Sequence, residues 1–98
     1  MISLTALIRV KKGSEEAMRL ALTEVVDYVK THEPGTIGYF LSQGVDDPCE
    51  FTTYERYVDQ TALNLHNDSK KIADFFEIAK PILDGEVVVE ICEEIANK

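Results

Sequence analysis

Two histidines, two cysteines and a scatter of carboxylates are the side chains with which this 98-residue chain could do acid–base, nucleophilic or metal chemistry. His66 has the most suggestive setting. It follows Ala62, Leu63 and Leu65, so on a helix it emerges near the seam between helix and sheet. An unperturbed imidazole titrates near ~6.5, which suits a proton shuttle at neutral pH. A structural histidine, satisfied by backbone or solvent, is the competing reading, and residue type alone does not separate the two. Ser69 lies three residues on, within reach across one helical turn. No third group or oxyanion motif accompanies the pair, so Ser69 reads as a helix N-cap rather than a nucleophile. His32 falls at a helix C-terminus, where a positive charge suits the dipole, and reads as a surface residue.

Other site types find no support in the residue pattern. The five glycines are scattered as turn residues, so there is no Gly-rich phosphate loop. No His/Cys/Asp/Glu group has metal-ligand spacing, and Cys49 and Cys92 read as incidental thiols in a turn and in the last strand. No metal and no cofactor are expected. A net charge of −8 repels phosphate backbones, and Lys70-Lys71 is too short a basic patch to reverse that. No apolar run approaches the ~18–20 residues that span a bilayer. Met1-Ile2-Ser3-Leu4 has neither the basic region nor the cleavage site of a signal peptide, so a cytoplasmic location is expected. The length suits one domain over residues 1–98 with its core in 2–95.

The elements that must hold His66 follow from periodicity. Ile2–Val10 alternates, with Ile2, Leu4, Ala6, Ile8 and Val10 on one face, and reads as a strand. Ser14–Thr31 carries Met18, Ala21, Leu22, Val25 and Val29 at helical spacing behind a Ser14 cap. Glu33-Pro34-Gly35 forces a turn into a strand Thr36–Gly44, with Ile37, Tyr39 and Leu41 on one face and Phe40 on the other. After a polar loop, Phe51–Tyr57 reads as that strand's antiparallel partner. Asp59 caps a short helix around Ala62–His66, and Ser69–Lys80 is a second helix with Ile72, Phe75, Phe76 and Ala79 as its buried stripe. Glu86–Ile95 is the last strand. The order β-α-β-β-α-β predicts an α+β ferredoxin-like fold, a four-stranded antiparallel sheet with its helices on one face. Leu7, Phe40, Tyr54 and Val88 then point away from the helices, and that patch suggests self-association.

Several short motifs point the same way: Ala62-Leu63-Asn64-Leu65-His66 with Ser69, Glu55-Arg56-Tyr57 at a strand end, and Glu33-Pro34-Gly35 followed by Tyr39. Together they make the chain resemble the antibiotic-biosynthesis monooxygenase family over nearly its whole length. The resemblance implies a homodimeric α+β barrel and a cleft between sheet and helices lined by the position of His66. Two departures stand out. Where many quinol-oxidising relatives continue Ser-Pro-His-Phe, this chain has Ser69-Lys70-Lys71-Ile72, and Tyr57 stands where Trp is common. Heme-degrading relatives need an axial His, a cleft Trp and an Asn, and the matching positions are Phe76, His66 and Ile8. Heme degradation is therefore disfavoured, while the same positions imply that Ile8, His66 and Phe76 surround one cavity.

The expected site has His66 as base and Ile8, Tyr39, Glu55, Tyr57 and Phe76 around the substrate. Glu55 could orient His66 or pair with Arg56 or Arg9. The leading expectation is a cofactor-independent monooxygenase of a small aromatic, quinol-type molecule. The alternatives are an isomerase of a small hydroxy-ketone, possibly phosphorylated, for which Arg9 and Lys70-Lys71 could supply charge, and a non-catalytic ligand-binding or stress module.

Overall fold

The computed structural model describes residues 1–98. Its elements are β1 (Ile2–Arg9), α1 (Glu15–His32), β2 (Thr36–Gln43), β3 (Glu50–Tyr57), α2 (Gln60–Asn67), α3 (Lys70–Ala79) followed by a 3-10 turn, Lys80–Ile82, and β4 (Val88–Glu93). The four strands form one antiparallel sheet in the order β2-β3-β1-β4. This is the ferredoxin-like arrangement that the sequence predicts.

Strand alternation assigns the faces. Register pairs Leu4 with Glu55 and Ile91, Ala6 with Thr53 and Val89, and Glu55 with Tyr39. These residues face the helices, while Leu7, Phe40, Tyr54 and Val88 point to the opposite side. The buried stripe of α1 is Met18, Ala21, Leu22, Val25 and Val29, and it packs with Leu4, Ala6, Ile8, Val10, Phe51 and Leu63 into one core. No helix is long and apolar enough to cross a membrane.

Four local departures from the periodic reading have physical causes. Ser14 makes no side-chain cap, because its backbone (φ −103°, ψ 8°) is outside the extended conformation of a capping residue, and α1 starts one residue later than expected. A bulge between Thr36 and Gly38 removes Ile37 from the alternation and leaves it exposed. The last strand is shorter than Glu86–Ile95, since Val10 at the end of β1 bridges Leu83 and Arg9 O accepts from Asp84 N, drawing the chain off the ladder. Phe76 is 43% exposed rather than buried, because this face of α3 overhangs a cavity; it packs edge-on against Phe75.

One close contact sets the position of α2. A Cβ at Gly35 would stand 2.7 Å from Ala62 Cβ, so only glycine lets the β2 entry turn meet this helix. Gly35 O also accepts from Val58 N at 2.9 Å, tying the turn to the end of β3.

Candidate functional site

Two caps deliver His66 to the seam between helix and sheet. The Asp59 side chain accepts from Ala62 N to start α2, and Ser69 accepts from Ile72 N to start α3. Ser69 Oγ also donates to the backbone carbonyl of His66 at 2.8 Å. Its hydroxyl therefore fixes the break between helices and does not touch the imidazole, which removes the Ser-His nucleophile reading. With Ala62 and Leu63 buried against the core, the helical repeat points His66 inward, and it is 3% exposed.

The buried ring lies between two carboxylates. Nδ1 is 2.9 Å and 3.0 Å from the two oxygens of Glu33, the residue that ends α1. Glu33 Oε1 also accepts from Thr36 Oγ1 at 2.7 Å. A carboxylate only accepts, so the hydrogen sits on Nδ1 and a neutral ring keeps its lone pair on Nε2. Nε2 lies 3.7 Å from Glu55 Oε1, too far for a hydrogen bond. Glu55 is itself anchored from its own strand, Oε1 accepting from Tyr57 Oη and Oε2 from Thr53 Oγ1, each at 2.6 Å. No buried side-chain polar atom is left without a partner.

Tyr39 and Tyr57 each place a ring 5.5 Å from that of His66. Burial, reinforced by the charge of Glu55, pushes both phenols well above the usual tyrosine range. They therefore act as hydroxyl donors and not as bases. His66, Glu33 and Glu55 are left as the proton acceptors of the site.

These groups form the polar end of a cavity of about 220 Å³ between the sheet and α3. Ile8, Leu22, Phe75 and Ile91 are among its mainly apolar walls, and Phe76 stands at the exposed side. No lysine or arginine lines it. Arg9 pairs with Asp47 and Glu50, Arg56 with Glu94, Lys70 with Asp74 and Lys71 with Glu24. Nor does any group of three or more potential metal ligands occur in the fold.

Of the six residues singled out from sequence, the structure brings His66, Ile8, Tyr39, Glu55 and Phe76 to one cavity. Tyr57 lies beneath it, fully buried, with its hydroxyl on Glu55 and no wall of its own. Glu55 faces inward and Arg56 outward by simple alternation, so the pairing of Glu55 with Arg56 or Arg9 does not occur. Sequence reasoning missed Glu33, taking Glu33-Pro34-Gly35 only as a turn. A signal existed: a carboxylate at a helix C-terminus opposes the dipole, and an acid so placed needs another partner.

The family model described as antibiotic biosynthesis monooxygenase matches residues 1–78. The chain belongs to that family. Solved structures agree on the fold of this family member. A protein from Nitrosomonas europaea, provisionally named an antibiotic biosynthesis monooxygenase, superposes with a TM-score of 0.90 at 20% identity, covering 98% of this chain and 100% of the other. A similarly named protein from Caulobacter crescentus gives 0.91 at 20% identity over 97% and 90% of the two chains. A protein from Shewanella oneidensis gives 0.86 at 27% identity over 93% and 87%. No curated protein sequence matches the chain. Family membership supports a general monooxygenase-type role.

Proposed function

We propose that this member of the antibiotic biosynthesis monooxygenase family oxygenates a small, uncharged quinol-type aromatic without a cofactor, using His66 as base. The observation that carries the reading is the Glu33-bound Nδ1, which leaves Nε2 as the basic nitrogen beside an apolar cavity. A substrate hydroxyl gives its proton to Nε2, and the electron pair that stays on oxygen makes the ring electron-rich enough to reduce O2. One oxygen atom ends in the product and the other leaves as water, so a quinol plus O2 gives a hydroxyquinone plus water. Positive charge developing on His66 falls between Glu33 and Glu55, a preorganised arrangement of the kind that lowers barriers. The apolar walls exclude water from the electron-rich intermediate.

The cavity also argues against the isomerase reading with a phosphorylated substrate, since no cation lines it and the candidate cations are paired elsewhere. The outer sheet face, with Phe40, Tyr54 and Val88 exposed, supports a homodimer in which a second copy covers that face.

The test is oxygen uptake with a panel of quinols and polyphenols, with products identified by mass spectrometry. Wild type should consume O2 with at least one of them. His66→Asn, which keeps hydrogen bonding without basicity, should lower turnover by ~10²–10⁴-fold while leaving ligand affinity nearly unchanged. Near-normal turnover in His66→Asn would make His66 a structural residue. Tight binding without uptake across the panel would favour a sequestering module.

A further inference from the structure

The polar end of the cavity is not the only place where this buried cluster meets space. A second recess, of about 180 Å³, lies on the outer side of α2 and is bordered by Tyr28, His32, Thr36 and Leu65. Glu33 lines this recess and not the substrate cavity, whereas His66 lines the cavity and not the recess. His32, Pro34 and Leu65, all exposed, form its rim, so water reaches it from the surface. Between the two compartments there is a single hydrogen-bonded link, Nδ1 to the Glu33 carboxylate at 2.9 Å and 3.0 Å. The Glu33 side chain, 9% exposed, is the only part of this link open to the recess.

We infer that Glu33 is a proton relay that keeps His66 in exchange with bulk water through the outer recess, independently of the substrate cavity. The inference rests on the reading of His66 as base. An imidazole has two nitrogens, and here each serves a different compartment. A cavity hydroxyl first gives its proton to Nε2, the electron pair of the broken O–H bond remaining on the substrate oxygen, and the imidazolium so formed then releases its Nδ1 proton to Glu33. In the reverse half-cycle, Nε2–H protonates the reduced oxygen as Glu33 returns a proton to Nδ1. Both halves conserve protons within the pair, and water in the recess exchanges with Glu33 at either stage. An occupied apolar cavity offers no comparable route, since Glu55, at the same polar end, is engaged by Tyr57 and Thr53. Thr36 Oγ1 steadies Glu33 from the recess side at 2.7 Å, and Tyr28 and His32 are the other titratable groups bordering that recess. Glu33 thus acts through His66 as a positioning and relay residue.

The experiment reads the imidazole of the resting protein by ¹⁵N NMR, with His32→Gln assigning the second of the two histidines. In wild type, the neutral His66 ring should carry its proton on Nδ1, and that proton should exchange with water as read by saturation transfer. Glu33→Gln should slow this exchange at least ~10-fold, because an amide cannot accept and release the proton. Exchange that is unchanged in Glu33→Gln overturns the relay. A wild-type ring protonated on Nε2 overturns it too, whether or not the variant folds. No substrate is involved, so a failed oxygen-uptake assay beside a slowed exchange would sink the oxygenase reading and leave the relay standing.

Discussion

Removing the Tyr57 hydroxyl tests whether the site is as tightly held as its geometry indicates. Tyr57 is fully buried, and its hydroxyl donates to Glu55 Oε1 at 2.6 Å. His66 Nε2, at 3.7 Å from that oxygen, is too far to replace the donor, and the Tyr39 hydroxyl also interacts with this carboxylate. Tyr57→Phe keeps the ring and its packing and removes the 2.6 Å donor from one buried carboxylate oxygen. A hydrogen bond to a charged group contributes ~1.5–3 kcal/mol, so a loss of about 2 kcal/mol is expected. At ~4–8 °C per kcal/mol for a domain of this size, the melting temperature should fall by about 8–16 °C. Thr53→Val removes the donor to the other oxygen. Because both hydroxyls serve one carboxylate, the double variant should depart from additivity by at least ~0.5 kcal/mol. Urea unfolding of the four proteins measures all of these quantities. If Tyr57→Phe lies within ~0.5 kcal/mol of wild type, Glu55 is satisfied in some other way and the account of the site floor is wrong.

Three further outcomes are expected. Gly35→Ala, which sets a methyl 2.7 Å from Ala62 Cβ, should cost ~1–3 kcal/mol, and adding Ala62→Gly should recover most of it in the same unfolding assay. The hydrogen bond and charge of Arg56 hold Glu94 below its ordinary value of 4.5, so this contribution is complete above that pH and is lost as pH falls through the lowered value. Arg56→Gln should flatten that part of the acid limb of a stability–pH curve, and an unchanged limb would count against the pair. Light scattering at micromolar concentration should give the mass of a dimer, whose interface should exceed the ~1,600 Å² of standard complexes; a pure monomer would leave Phe40 and Tyr54 without the proposed cover.

The fold was legible because its signals are local. The period-two pattern of Ile2–Val10 and the 3.6-residue repeat from Met18 to Val29 each need only one segment to be read. The capping roles of Asp59 and Ser69 were also visible, since each acts three residues away. The candidate site was partly legible. The family resemblance pointed to His66, and strand parity put Glu55 on its side of the sheet. Glu33 was not found, because its contact with His66 joins residues 33 apart in the chain and depends on the Gly35–Ala62 approach. The bulge at Ile37 was missed for a different reason: nothing in Thr36-Ile37-Gly38 breaks the alternation until the strand is paired. Phe76 fits the helical stripe by periodicity, while the family resemblance implied a cavity beside it. The structure shows that this face of α3 overhangs that cavity and is left exposed.

The placement of β4 has a consequence for selectivity. Val89 and Ile91 are walls of the cavity, yet β4 bonds to β1 alone and every one of its six residues is exposed. Strands held on one side by few buried contacts open at lower free energy than the core around them. The polar end of the cavity is held by α2 and by β3, an interior strand of the sheet, while part of the bore is set by an exposed edge strand. The polar end and the width of the cavity thereby rest on parts of different rigidity. Substitutions at Val89 or Ile91 should therefore change the width of the cavity without disturbing His66, Glu33 and Glu55.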